Sequence, residues 1–160
     1  MRLLSADPRV IFLGQNVAYP GNVIFDSLEG VPMKQRLELP VMEETQMGMS
    51  IGLSLMGYIP VSIYPRMDFL LLCMNQLVNH LDKIALMSNG GYRPKVIIRT
   101  KVGSKTPLDA GLQHTQDYTE PLRAMLTAVN VVKLGDMARA VDVYQEALNA
   151  DVSTLIVEVW

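Results

Sequence analysis

Leu39-Pro40-Val41-Met42-Glu43-Glu44-Thr45-Gln46-Met47-Gly48-Met49-Ser50-Ile51-Gly52-Leu53-Ser54-Leu55-Met56-Gly57 sets two carboxylates between a short apolar run and a helix rich in small residues. Leu37 to Val41 reads as a short strand held extended by Pro40. Beyond it, Met47, Ile51 and Leu55, with Gly48, Gly52 and Met56, recur at three- and four-residue spacing, which predicts a buried helix over 44–57. Glu43 and Glu44 therefore fall at a strand-to-helix junction, which in a parallel α/β sheet lies at the carboxyl ends of the strands, where the ligand crevice opens. Adjacent helical residues point about 100° apart, so only one of the two faces that crevice. Gly48, Ser50, Gly52 and Ser54 leave one side of the helix almost bare, open to a second backbone or a cofactor ring. The simplest alternative is that both acids complement the positive end of the helix dipole, worth roughly 0.3–1 kcal/mol each.

The chain on either side supplies the rest of an α/β fold. Arg9 to Leu13, closed by Gly14, reads as a buried first strand, and Asn22 to Gln35 as an irregular stretch with at most a short helix. Ile59 to Tyr64 makes the next strand, with Pro60 at its start, where a missing N–H is tolerated. Met67 to Met87 carries Leu70, Met74, Leu77, Val78, Leu81 and Ile84 at helical period and stops at Ser88-Asn89-Gly90-Gly91, which predicts one long helix. Pro94 to Arg99 is a buried strand, and Thr100 to Asp117 is a long loop without apolar period, a feature that is usually functional. Then come a helix (121–126), a strand (130–134), a helix (137–148) and a strand (154–159). The expected fold is a single α/β doubly wound domain over 1–160, with a mainly parallel sheet of about five or six strands and helices on both faces.

Composition narrows the function. A chain of 160 residues, 49% hydrophobic and 19% charged, buries a substantial core. A net charge of −2 without a Lys/Arg cluster leaves no footprint for nucleic acid or an anionic membrane. Phe69 to Met74, the longest apolar run, is too short to span a bilayer, and the first residues lack a signal-peptide core, so a cytoplasmic protein is expected. Cys73, the single cysteine, has no disulfide partner and no metal-ligand neighbour, and reads as a buried structural thiol. There is no Walker loop, no Gly-x-Gly-x-x-Gly turn and no Gly-x-Ser-x-Gly elbow.

Pro40-Val41-Met42-Glu43, then Gly48, Gly52 and Gly57 followed by Ile59-Pro60-Val61, resembles the pyrimidine-binding domain of thiamine diphosphate enzymes. The likeness is to the beta subunit of pyruvate-type 2-oxo acid dehydrogenases and, more distantly, to the transketolase middle domain. Pro94-Lys95-Val96-Ile97-Ile98-Arg99 and Asn75-Gln76 extend it over nearly the whole chain. The resemblance implies that Glu43, not Glu44, hydrogen-bonds the aminopyrimidine of thiamine diphosphate, and that Phe69 packs against that ring. It implies that His114, in Gln113-His114-Thr115-Gln116, resembles the His of a His-Ser-Gln motif that handles protons or the acyl group. Gln15 and Asn16 depart from the pattern, standing where the dehydrogenase subunits commonly carry acidic residues.

In that family the diphosphate and its Mg2+ are held by a Gly-Asp-Gly segment in a separate domain. These 160 residues hold no such segment, Gly135-Asp136-Met137 being the nearest, and the expectation is a single domain without the family's carboxyl-terminal one. The expectation is a component that acts on 2-oxo acids or ketoses by acyl or ketol transfer, as an oxidoreductase or transferase. It would be active only when a diphosphate-binding subunit, supplying Mg2+, completes it in a homo- or hetero-oligomer. Two alternatives stand beside it: a non-catalytic interaction subunit that kept the fold, and an unrelated α/β domain in which Glu43 serves only the helix dipole.

Overall fold

Five runs rich in apolar and β-branched residues, with the short charged segment Arg36–Glu38, form the strands β1 (Val10–Gly14), β2 (Arg36–Glu38), β3 (Ile59–Tyr64), β4 (Ile97–Lys101), β5 (Asn130–Leu134) and β6 (Thr154–Glu158). In the computed structural model, which describes residues 1–106 and 109–159, they pair in the order β2-β1-β3-β4-β6-β5, every pair parallel. β3 and β6 are buried at every position, as strands covered on both faces must be. The helices are α1 (Val23–Ser27), α2 (Glu43–Leu55), α3 (Met67–Leu70), α4 (Ile84–Met87), α5 (Thr119–Met125) and α6 (Ala140–Asn149). One core lies between the sheet and the side of α1 and α6, built on Phe12, Val61, Ile156, Leu28 and Tyr144. The other lies under α2, the helical run 67–87 and α5, built on Met47, Tyr64, Leu77, Ile98 and Leu122. The fold is the doubly wound α/β class expected.

The connection leaving β1 runs to β2 on one side, and the connection leaving β3 runs to β4 on the other. β1 and β3 are neighbours, so the crevice of the doubly wound sheet opens at their carboxyl ends. Gly14 makes that end tight: its φ is 145°, and a Cβ there would lie 2.4 Å from the Ile63 carbonyl oxygen.

Two sequence readings need correction, and a third is met in part. β2 stops at Glu38 rather than running to Val41, because the Glu38 carboxylate turns back to accept the N–H groups of Asn16 at 2.7 Å and Ala18 at 2.8 Å. The single helix expected over Met67–Met87 is instead α3, a 3-10 turn (Leu71–Cys73), a π-helix (Asn75–Leu81) and α4. Its wide turn is closed by the Asp82 N–H reaching back to the Leu77 carbonyl at 3.0 Å. That turn brings the Asp82 carboxylate under the loop between α5 and β5, where it accepts from the N–H groups of Thr127, Ala128 and Val129 at 2.8, 2.6 and 3.2 Å. Finally, the bare side of α2 meets a second backbone only at its far end, where Ser54 Oγ accepts from the Lys95 N–H at 2.6 Å and donates to the Lys95 carbonyl at 3.0 Å; Gly48 looks onto the Gln76 side chain, and nothing lies within 4 Å of a Cβ placed on Gly52. In the long loop 100–117, Pro107 lies outside the described residues, as does Trp160 at the end of the chain.

Candidate active site

Glu43 is the first residue of α2 and is 7% exposed. Among the described residues no group donates to its carboxylate, while its carbonyl accepts from the Tyr64 hydroxyl at 3.3 Å. Glu44 turns the other way, exposed, and accepts from Asn75 Nδ2 at 3.0 Å and Gln76 Nε2 at 3.4 Å. The helical rotation thus separates the two acids as expected: one is buried without a partner, the other is tied to the π-helix.

Tyr64 and Cys73 form the wall near Glu43. Burial pushes the Cys73 thiol up to about 12; a hydrogen bond with Tyr64 opposes this, and the charges of Glu43 and Glu44 add to it. Burial likewise drives the Tyr64 hydroxyl well above its ordinary value, with the charges of Cys73 and Glu43 in the same direction. Both therefore stay protonated near neutral pH, and Cys73 is the inert thiol its apolar run suggested. Gln46, one turn into α2, fixes the helix over the crevice: its Nε2 donates to the Ile63 carbonyl at 3.0 Å and to Ser62 Oγ at 3.1 Å. Sequence reading missed Tyr64 and Gln46, since a Tyr ending a strand and a Gln inside a helix carry no distinguishing pattern.

Phe69 and His114, forty-five residues apart, meet edge to face with ring centroids 5.5 Å apart and an interplanar angle of 66°. His114 closes a short 3-10 turn (Leu112–His114), and its Nδ1 is buried with no hydrogen-bond partner among the described residues. This approach depends on Gly103: a Cβ there would sit 1.7 Å from the His114 carbonyl oxygen and 2.8 Å from Arg66 Nη1. Phe69 lies four residues before Cys73 on the same helical run, so both pairs sit on the α2 side of the sheet. Gln15 follows β1, its Nε2 also buried without a partner among the described residues. Among those residues no group of three or more His, Cys, Asp or Glu side chains is gathered as a metal site, and no helix is long and apolar enough to cross a membrane.

No protein-family model matches the chain. It is similar to the pyruvate dehydrogenase E1 component subunit beta of Chaetosphaeridium globosum, 29% identical over 117 residues that make up 71% of this chain and 35% of that protein. The subunit of the same name from Leifsonia xyli subsp. xyli is 28% identical over 152 residues, 92% of this chain and 44% of that protein. The acetoin:2,6-dichlorophenolindophenol oxidoreductase subunit beta of Cupriavidus necator is 28% identical over 143 residues, 81% of this chain and 41% of that protein. The chain thus spans less than half the length of these curated relatives. Among solved structures, transketolase from Campylobacter jejuni superposes with a TM-score of 0.73 at 13% identity, over 98% of this chain and 23% of that one. A split-gene transketolase, described as an inactive beta4 tetramer, superposes with a TM-score of 0.72 at 16% identity, over 98% of this chain and 48% of that one. By sequence similarity and fold together, the chain is a relative of the transketolase-like pyrimidine-binding domains of thiamine diphosphate enzymes.

Proposed function

We propose that the chain supplies the pyrimidine-binding half of a thiamine diphosphate enzyme that acts on 2-oxo acids or ketoses by acyl or ketol transfer, completed by a diphosphate-binding subunit. The observation that carries this reading is the Glu43 carboxylate, buried at the start of α2 and without a donor from the described residues. The residue is buried, but its carboxylate oxygens are not among the side-chain atoms sealed from solvent without a partner, so they stand open at the site, where a ligand can reach them. An aminopyrimidine ring fits: its nitrogen can share a proton with a carboxyl, and its flat apolar face suits Phe69. The unpartnered His114 Nδ1, held against Phe69, offers a second polar contact beside it. In this reading the diphosphate and its Mg2+ belong to the partner subunit.

When bound, thiamine diphosphate supplies a thiazolium carbon acid whose conjugate base attacks carbonyl carbon. The work of this chain is narrower. Glu43 would share a proton between its carboxyl oxygen and the ring nitrogen, while Tyr64 and Cys73 near it keep their own protons and do not compete. Phe69 fixes the plane of the ring, and His114 gives or takes a proton on the substrate side. Exposed apolar residues on the α2 side, Val41, Met56, Leu72, Leu86 and Met87, offer the contact surface for the completing subunit.

The test is a calorimetric titration of thiamine diphosphate and Mg2+ into the chain alone and into the chain co-purified with a Gly-Asp-Gly-bearing subunit. Weak or no binding by the chain alone and tight, Mg2+-dependent binding by the pair are expected. Tight Mg2+-dependent binding by the chain alone contradicts the division of the site. No binding by a stable pair favours the non-catalytic reading, to which Gln15 and Asn16 already point.

A further inference from the structure

A cleft of about 570 Å³ opens beyond the carboxyl ends of β1, β3 and β4, with Tyr64, part of the wall near Glu43, at its edge. It is lined by Asn16, Ile24, Arg66, Lys101 and Met137, among others, and by none of Glu43, Phe69 and His114. A second hollow of about 300 Å³, walled by Leu3, Leu4, Ala140 and Val141, adjoins it. The two share Ser27, Arg99, Glu158 and Met137, so they form one groove that starts at the switch point between β1 and β3 and runs toward α6. The polar floor midway is self-satisfied: Arg99 pairs with Glu158 at 2.9 Å and donates to Ser27 Oγ at 2.7 Å, and Tyr144 donates to Glu158 at 2.7 Å. Arg66 and Lys101, at the switch-point end, belong to none of the ion pairs formed among the described residues. The rest of the rim mixes polar side chains at the switch-point end, among them Asn16, Asn22 and Ser104, with exposed apolar ones, Val23 at 77%, Met137 at 63% and Val141 at 65%.

We infer that this groove binds an organic anion with an extended apolar tail, such as a medium-chain carboxylate. Its head is drawn to Arg66 and Lys101, and its tail lies over Met137 toward Val141. The local positive charge stands out in a chain whose net charge is −2, and Glu158, the one acid on the groove floor, is neutralised by Arg99. Charge complementarity selects the head, and each methylene added to the tail strengthens binding several-fold for as long as the groove can cover it. The inference does not rest on the thiamine diphosphate reading, because none of Glu43, Phe69 and His114 lines the groove, although Tyr64 borders both.

The experiment titrates the chain, without thiamine diphosphate, with octanoate, acetate, 1-octanol and inorganic phosphate, followed by calorimetry and by amide chemical shifts. Octanoate is expected to bind at least tenfold more tightly than acetate, phosphate or 1-octanol. An Arg66→Gln/Lys101→Gln double variant should lower octanoate affinity about tenfold, to the level of 1-octanol. Val141→Asp, at an exposed position, should weaken octanoate and leave acetate unchanged. Circular dichroism of each variant reports whether the fold is intact. No octanoate binding at millimolar concentration, equal binding of phosphate or 1-octanol, or an unchanged affinity in the folded double variant would overturn the inference.

Discussion

Glu158 and Glu43 are both buried carboxylates near the carboxyl end of the sheet, 4% and 7% exposed, yet their surroundings are opposite. Glu158 takes two bonds from Arg99, at 2.9 and 3.2 Å, and a third from Tyr144 at 2.7 Å, all inside the core beside α6. Glu43, on the other face, takes none from the described residues. The chain spends Glu158 on holding itself together and leaves Glu43 for something else. A buried charge that its own fold saturates is structural; one that the fold leaves open marks the place where a partner's atoms belong.

The comparison breaks first on stability. Glu158→Gln leaves a buried guanidinium without its counter-charge, and a loss of about 3–5 kcal/mol in urea unfolding is expected. Glu43→Gln should shift the same unfolding by no more than about 0.5 kcal/mol, the size expected where no native partner is lost. A similar loss for both would erase the distinction.

Asp82 extends the structural side. Burial alone would raise its pKa, but the hydrogen bonds from Lys83, Ala128 and Thr127 outweigh that and hold it below the usual aspartate range. A carboxyl whose folded pKa is depressed contributes stability above its unfolded pKa, about 3.9, and loses it as the pH falls through the folded value. Asp82→Ala should therefore cost about 2 kcal/mol at pH 7, where three backbone N–H groups lose their acceptor, and the gap to wild type should narrow below about pH 4. Urea titrations at pH 7 and pH 3 measure both.

Another small effect on stability separates folding from assembly. With nothing within 4 Å of a Cβ on Gly52, Gly52→Leu should alter unfolding by less than about 1 kcal/mol, the helix-propensity scale, while preventing association with the completing subunit in sedimentation. Normal association by the folded variant would move the interface elsewhere.

Much of this was readable because buried parallel strands announce themselves as β-branched runs: Val10 to Leu13, Ile59 to Tyr64 and Thr154 to Val157 need no partner to be recognised. The splitting of Glu43 from Glu44 followed from helical rotation alone. The broken helix was not legible, because α, 3-10 and π turns bury the same apolar positions closely enough that Leu70, Leu77 and Leu81 satisfy any of them. Nor were the Arg99–Glu158 pair and the Asp82 cradle, since both join residues more than forty positions apart. Phe69 and His114 were singled out by family resemblance; their edge-to-face contact is a fact of the tertiary structure that no local pattern encodes.

The most direct measurement compares Glu43→Gln with Glu44→Gln in the chain co-purified with its diphosphate-binding subunit, following thiamine diphosphate-dependent turnover of a 2-oxo acid. Glu44 lies exposed against Asn75 and Gln76, so its substitution should leave turnover within about threefold, less than about 1 kcal/mol. Glu43→Gln should fold and assemble normally yet lower turnover by at least about a hundredfold, because the amide cannot share a proton with the ring nitrogen. Equal turnover for the two variants, or full activity in Glu43→Gln, would contradict the assignment of the unpartnered carboxylate to the cofactor.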